Sequence, residues 1–404
     1  MTLTAASDSR SPRAPDAPTG QGRPELARGS TAILVAVTAS HFVSDAYTAI
    51  LTPLLPELRA TFGVSITATA ALVAVLSFVG SVLQPAFGVL ADHSDRRLLA
   101  AFGPALAGVG MALLGVAPSF LLVVALVALG GIGSGLFHPA AVAYVHQGAS
   151  ARRRGLFASI FSAGGTAGQA MGPLVVTVLG TARLHWALPV GIVGGVLSWI
   201  VTPSTRSAVR KRPRWRDYAA VFHGPMRTLW AASVLRSLCT ISYLSLLGFA
   251  LTSRGFAGHI GPSLATYSLA AALGGIVGGL FSDRLGRIMV LRSSILSSIP
   301  LFVLLVYTTP AAWWYYPLTA LVGAMVNANT PVAIVTAQEY APGHVATASA
   351  LMMGFAWGTS GVLFTVVGAL ADLTSPRTAM VAAILLLLPA LWLTVRLPEP
   401  GAEL

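Results

Sequence analysis

The stretch GVLADHSDRR (Gly88 to Arg97) returns later in the chain as GLFSDRLGR (Gly279 to Arg287). Gly88 and Gly279 stand 191 residues apart, and so do Asp92 and Asp283. Two further landmarks keep nearly the same step. His138-Pro139 and Thr330-Pro331 are 192 residues apart, and the glycine pairs 164/168 and 354/358 are 190 apart. Three landmarks agreeing within two residues mark a duplicated unit. The basic stretch 204–226 is then the connection between two halves of one design.

Outward from these loops the chain is apolar. Of its 404 residues, 55% are hydrophobic and only 9% charged, and mean hydropathy is +0.76. A soluble domain carries about 25% charged residues, so this composition excludes a soluble enzyme, a disordered chain and a fibre. The apolar residues come in long runs rather than the short alternating segments of a barrel. The fold class is therefore an all-α integral membrane protein. A span needs about 20 apolar residues. Helices are expected near 31–53, 66–91, 98–117, 120–146, 155–180, 185–203, 227–252, 261–282, 288–308, 312–338, 346–371 and 378–396. Twelve spans divide into an N-terminal bundle (31–203) and a C-terminal bundle (227–397), with tails at 1–30 and 398–404. The first 30 residues lack the apolar core of a signal peptide and read as a disordered tail.

The net charge of +12 would suggest nucleic acid in a soluble protein, but here it follows the membrane. Twenty of the 25 Lys and Arg residues fall in the two tails and the even-to-odd loops, four fall on the other side, and Arg236 lies inside a span. That asymmetry places both termini in the cytoplasm, and the expected location is the plasma membrane. No nucleic-acid partner is expected; the lipid bilayer is. The single cysteine, Cys239, excludes an internal disulfide and a cysteine-based metal site. No nucleotide-binding loop occurs, so ATP does not drive this chain. No cofactor is expected.

A six-plus-six duplication with this loop resembles the major facilitator superfamily. The family pattern is matched at Gly88, Leu90, Asp92, Arg96 and Arg97, with departures at His93 and Asp95. The second copy matches at Gly279, Asp283, Arg284, Gly286 and Arg287. In this pattern the glycine permits close helix approach, and the acid pairs with arginine to latch one face. A closer resemblance is to fosmidomycin-resistance-type efflux carriers. It is carried by His41-Phe-Val-Ser-Asp45-Ala-Tyr47 with Pro53 and Pro56, by Gly131 through Pro139, and by Ala337-Gln338-Glu339-Tyr340; Ala140 departs from an acidic position. The resemblance implies a proton-coupled efflux antiporter for drugs or metabolites, a role in antibiotic resistance, and a monomer. An uptake symporter on the same fold is the alternative. A lipid-modifying membrane enzyme is disfavoured, since no catalytic cluster is visible.

Of the 13 acidic residues, only Asp45 falls near mid-membrane, about 21 Å along a helix entering at Thr31. A lone carboxylate there is costly unless it is protonated or paired, which suits proton coupling. It also suits a simple packing role. His41, four residues earlier, shares its helical face. Arg236 lies 191 residues after Asp45 and is its counterpart in the duplication. It is expected either to hold an anionic substrate in a shared cavity, to pair with Asp45, or to snorkel to the surface. His138 precedes Pro139, which kinks the fourth helix, and is either a packing residue or a proton relay. No second histidine or carboxylate stands at metal spacing from it, so no metal is expected. Gln169 sits on the fifth helix, where Gly164, Gly168, Gly172 and Pro173 favour close packing. That run partly resembles the family's antiporter motif, with Val175 and Val176 in place of its terminal glycines. Tyr47, Asn327 and Asn329 complete the expected cavity lining, with Thr330, Tyr243 and Trp357 beside them.

Overall fold

The computed structural model describes residues 24–148, 154–205, 219 and 221–400, apart from the side chains of 24–30, 92, 154, 155 and 346. The Asp92 side chain, most basic residues of the linker and most of both tails lie outside it. Among the described residues there is no strand. The helices are α1 (Pro24–Phe62), α2 (Ile66–Ala91), α3 (Arg96–Val116), α4 (Phe120–Gly148), α5 (Arg154–Leu179), α6 (Thr181–Val201), α7 (Gly224–Thr252), α8 (Ala257–Leu285), α9 (Arg287–Tyr307), α10 (Tyr315–Tyr340), α11 (Thr347–Leu373) and α12 (Pro376–Val395). Eleven are long and apolar enough to cross a membrane; α5 is the exception. It is 26 residues long, and its glycines, Thr166 and Gln169 dilute its apolar run. It must cross nonetheless, because α4 ends and α6 begins on opposite faces.

Two expectations about α1 change. It begins at Pro24, so residues 24–30 are helix where a disordered tail was expected, and it runs on to Phe62 through Pro53 and Pro56. Proline breaks a helix by removing one hydrogen bond, but here both rings lie on a heavily packed helix. The real stop is Gly63, whose φ of 63° gives the left-handed turn that ends helices. Side chains start the next elements: Ser65 caps α2 by accepting from Ala68 N–H, Asp95 caps α3 and Ser375 caps α12. Three arginines close helix C-termini, where the dipole favours cations. Arg97 donates to Trp199 O on α6, Arg254 to Thr308 O on the turn after α9, and Arg292 to Val395 O on α12.

Each half packs within itself, α1 on α5 and α3 on α4 in the first, α8 on α10 and α7 on α11 in the second. The halves meet where α2 lies on α11, α5 on α8 and α1 on α7. Call the face carrying the chain ends proximal and the other distal. The apolar cores are partitioned by face. One continuous core fills the distal ends of both halves, from Tyr47, Leu54 and Met111 to Leu246, Phe302 and Phe364. On the proximal side there are two separate cores: one in the first half around Val37, Phe137 and Phe161, one in the second around Leu229, Leu291 and Ala337. The halves are thus joined distally and parted proximally.

The distal seam has a polar fastening as well. Asp372, at the end of α11, accepts hydrogen bonds from Ile66 N–H (2.8 Å), Thr67 N–H (2.8 Å) and Thr67 Oγ1–H (2.6 Å) at the start of α2. At the pseudo-equivalent seam, Gly261 of α8 sits so close to Pro173 and Thr177 of α5 that a side chain would collide with backbone. The proximal motif glycines are the opposite case. A methyl group at Gly88 or Gly279 would meet nothing within 4 Å. The close helix approach expected there is absent in this arrangement, because the proximal ends are apart.

Candidate functional site within the first half

His41 and Asp45 sit one helical turn apart on α1, just where the proximal core ends and the shared distal core begins. The helical period puts both on the face that meets α4 and α5. His41 Nε2 lies 3.5 Å from Asp45 Oδ2, and His138 Nε2 of α4 lies 3.5 Å from Asp45 Oδ1. The two imidazole Nε2 atoms are 3.2 Å apart. Gln169 of α5 donates from Nε2 to Asp45 Oδ2 at 3.2 Å. Each imidazole is also anchored at its far nitrogen: His41 Nδ1 to Phe161 O at 2.8 Å, and His138 Nδ1 to Ser134 O at 2.7 Å. The Phe161 ring stacks on His41 with centroids 4.1 Å apart. The His41 and Asp45 side chains are each 9% exposed, that of His138 25%. The cluster is buried at the floor of the split between the halves, with His138 and the exposed Gln169 towards open space.

Gly165 makes room for it. A side chain there would strike the His41 ring and the Asp45 carboxylate. Gly164, Gly168 and Gly172 let the α5 backbone lie against Thr38, Phe42 and Ala46 of α1, which brings Gln169 and the Phe161 carbonyl within reach. Sequence reasoning missed Gly165, Phe161 and Ser134. A glycine directly beside the packing glycines was the one signal available.

The expectation that His138 stands without a second histidine or carboxylate is corrected. His41, Asp45 and His138 each offer one ligand atom, all within 4.8 Å of one another. Residues 97 positions apart along the chain give no recognisable metal spacing, so only folding reveals the set. It supplies three protein donors, one short of a closed tetrahedral site.

Arg236 sits on α7 at the level where the second half's proximal core gives way to the shared one. It is 4% exposed. Nη2 donates to Ser237 Oγ at 2.9 Å, while Nε and Nη1 have no hydrogen-bond partner. It does not snorkel into an exposed layer. Among the described residues it forms no ion pair, and Asp45 pairs with the histidines instead. The expected Asp45–Arg236 pair is therefore not formed here.

The remaining expected residues separate into lining and packing. Asn327 donates to Tyr267 OH (3.2 Å) and is half-buried. Asn329 is buried and ties α10 to Leu291 O of α9. Tyr47 is also buried, donating to Ala187 O (2.5 Å) and accepting from Gly191 N–H (2.9 Å) on α6. Both are joints between helices rather than cavity walls. In the second loop motif, Arg287 pairs with Asp283 (2.6 Å) and Glu339 (3.2 Å) inside its own half, and Arg284 is exposed. In the first, Arg96 is buried and Arg97 stacks on Trp199 with its guanidinium 4.1 Å from the ring centroid. The ion pairs of Arg287 in the second loop do not cross between the halves.

Comparison with known proteins agrees with this architecture. The chain is 29% identical over 397 residues to the fosmidomycin resistance protein of Escherichia coli (strain K12), covering 92% of this chain and 94% of that one. It is 28% identical over 368 residues to the MFS-type transporter YfnC of Bacillus subtilis (strain 168), covering 87% and 89%. In fold it is similar to the nucleoside transporter NupG (TM-score 0.73, 14% identity, 90% of this chain and 98% of that one). It is similar too to a bacterial homologue of the human lysosomal transporter Spinster in an inward-facing state (TM-score 0.72, 15% identity, 91% and 98%). Residues 37–365 match the Major Facilitator Superfamily, and with the duplicated six-helix halves this places the chain in that family of multi-pass membrane transporters, which are not enzymes.

Proposed function

We propose that the protein is a proton-coupled efflux antiporter for small molecules, working by alternating access in the bacterial plasma membrane with both chain ends in the cytoplasm. The observation that carries the reading is the buried His41–Asp45–His138 cluster at the floor of the proximal split. A charged group inside a membrane protein is costly to keep, and one that changes protonation as access alternates links transport to a proton gradient. The 20-to-4 division of basic residues supports a cytoplasmic proximal face, and the arrangement described is then open to the cytoplasm. The name of the Escherichia coli relative supports outward transport of an antibiotic-like compound. Arg236, with two unpartnered donors, supports an anionic group on the substrate, since guanidinium matches carboxylate or phosphonate oxygens in pairs.

The test uses everted vesicles carrying the full chain, with a small phosphonate as probe. Antiport predicts that an imposed proton gradient (acid lumen) drives the probe into the lumen, and that collapsing the gradient stops it. Gradient-driven movement out of the lumen would assign the symport alternative, and movement indifferent to the gradient would sink proton coupling. Asp45→Asn is expected to abolish the driven phase.

A further inference from the structure

We infer that His41, Asp45 and His138 form a binding site for a divalent transition-metal ion of the zinc class, taken up from the split between the halves. The binding does not depend on the proton-coupled reading above; its consequence for transport does.

The donors are prepared for a cation. A backbone carbonyl can only accept a hydrogen bond. His41 Nδ1 lies 2.8 Å from Phe161 O, and His138 Nδ1 lies 2.7 Å from Ser134 O. Each Nδ1 therefore carries its ring's hydrogen, and each neutral ring turns a bare Nε2 lone pair towards Asp45. A metal-ligating histidine has this form, with its other ring N–H fixed on an outer acceptor. The Asp45 carboxylate is held from outside as well, by the Gln169 amide at 3.2 Å. All three groups thus have the outer support that orients a ligand.

Spacing separates a cation site from a hydrogen-bonded ion pair. A charge-assisted N–H···O bond is about 2.7–2.9 Å long, yet each Nε2 stands 3.5 Å from an Asp45 oxygen. The two Nε2 atoms are 3.2 Å apart. Donors about 2.0–2.1 Å from a tetrahedral zinc ion stand roughly 3.3–3.4 Å from one another. The three separations are close to the edges of that tetrahedron. One ligand atom from each residue lies within 4.8 Å of the other two, so closing the triangle asks a turn of the Asp45 carboxyl and no movement of a helix. Two imidazoles with one carboxylate select zinc, cobalt, nickel or copper over magnesium and calcium, which take oxygen ligands.

Exposure gives the entry path. The His138 side chain is 25% exposed where its partners are each 9%, so the ion enters past His138. Water or an anionic oxygen of a small molecule in the split completes the coordination. Once bound, the ion ties α1 to α4 and occupies the atoms at which the proton-coupled reading places the proton. Gradient-driven transport stops while the ion is held.

The experiment uses the full chain in detergent, stripped with a chelator that is then removed, and titrated with cobalt(II) alone or zinc alone. Expected are one ion per chain, the intense visible absorption of four-coordinate cobalt, and its loss when zinc is added. His41→Ala and Asp45→Ala should each weaken zinc binding about a hundredfold or more, and Gln169→Ala about ten- to a hundredfold. His259→Ala, at the distal start of α8, should leave it unchanged. His138→Cys in a Cys239→Ser background should keep cobalt and add a sulfur-to-metal absorption in the near ultraviolet, a gain of signal that loss of folding does not mimic. No binding by the wild type, the weak absorption of six-coordinate cobalt, equal binding of magnesium, or cobalt held by His138→Cys without the sulfur band each overturns the inference. In everted vesicles loaded with zinc and washed, driven uptake of the phosphonate should cease; uptake that continues with zinc bound overturns the blocking consequence. If no uptake is driven even without zinc while cobalt reports a four-coordinate site, the proton-coupled reading has failed and the metal site has not.

Discussion

Removing the Asp372 carboxylate should loosen the distal seam by a calculable amount. In Asp372→Ala, α2 loses an acceptor for Ile66 N–H, Thr67 N–H and the Thr67 hydroxyl. Water replaces these bonds when the seam is open, so their whole net worth acts on the equilibrium between closed and open distal states. Loss of a capping acceptor costs about 0.5–2 kcal/mol. Asp372 is exposed and its charge is screened, so about 1 kcal/mol is the appropriate figure. At tenfold per 1.4 kcal/mol, the open fraction should rise about fivefold. Asp372→Asn keeps one uncharged acceptor and should give about twofold on the same scale. The reporter is Ala70→Cys in a Cys239→Ser background, because Ala70 is 1% exposed and faces Gly368 across the seam. Its reaction rate with a small thiol reagent follows the open fraction. An unchanged rate in Asp372→Ala, or an equal rise in Asp372→Asn, would refute the fastening role.

Other outcomes follow from the same geometry. Gly165→Ala should displace the His41–Asp45 cluster, at about 1–3 kcal/mol for overpacking, and cut gradient-driven transport more than tenfold; a variant with wild-type transport would contradict the placement. Gly88→Leu should leave the melting temperature nearly unchanged, since the site is open here, yet slow transport by obstructing proximal closure; rapid turnover in this variant would count against alternating closure at that loop. The Asp95 carboxyl is pushed up by burial, but the Ser204 hydroxyl, the Arg97 and Thr205 amides and the Arg97 charge outweigh this and hold it below the ordinary value. With the folded value depressed, its contribution is present above about pH 4 and is lost as pH falls through the folded value. Hydrogen exchange at the Thr205 amide, 3.2 Å from Asp95, should therefore be flat from pH 5 to 8 once corrected for intrinsic rates, and rise at neutral pH only in Asp95→Ala.

How much of this was legible beforehand depended on the distance over which the signal acts. The spans, the duplication and the i,i+4 pairing of His41 with Asp45 are local or periodic, and they read directly. The fifth span was legible by length although glycine lowers its hydropathy, because those same glycines mark a helix packed against protein rather than lipid. His138 was visible as a histidine before a proline, but its meeting with His41 depends on how α4 crosses α1, which no spacing encodes. Asp372 looked like an ordinary loop acid, since its partners are backbone amides 305 and 306 residues away and backbone carries no sequence signature. Tyr47 and Asn329 misled for a related reason. A polar side chain in a span must be satisfied, and sequence does not say whether a ligand or a neighbouring carbonyl does it.

The partition of the apolar cores also sets the order in which a newly made chain can finish folding. The proximal core of the first half draws on α1 to α6 alone, so it can be completed before the second half is synthesised. The distal ends of α1, α2 and α5 must wait, because their partners lie on α7, α8 and α11. During synthesis the first half therefore sits in the bilayer with one end finished and the other still adhesive. A ribosome that stalls in the linker leaves behind a species whose exposed distal surface suits a second unfinished copy as well as it suits its own missing half.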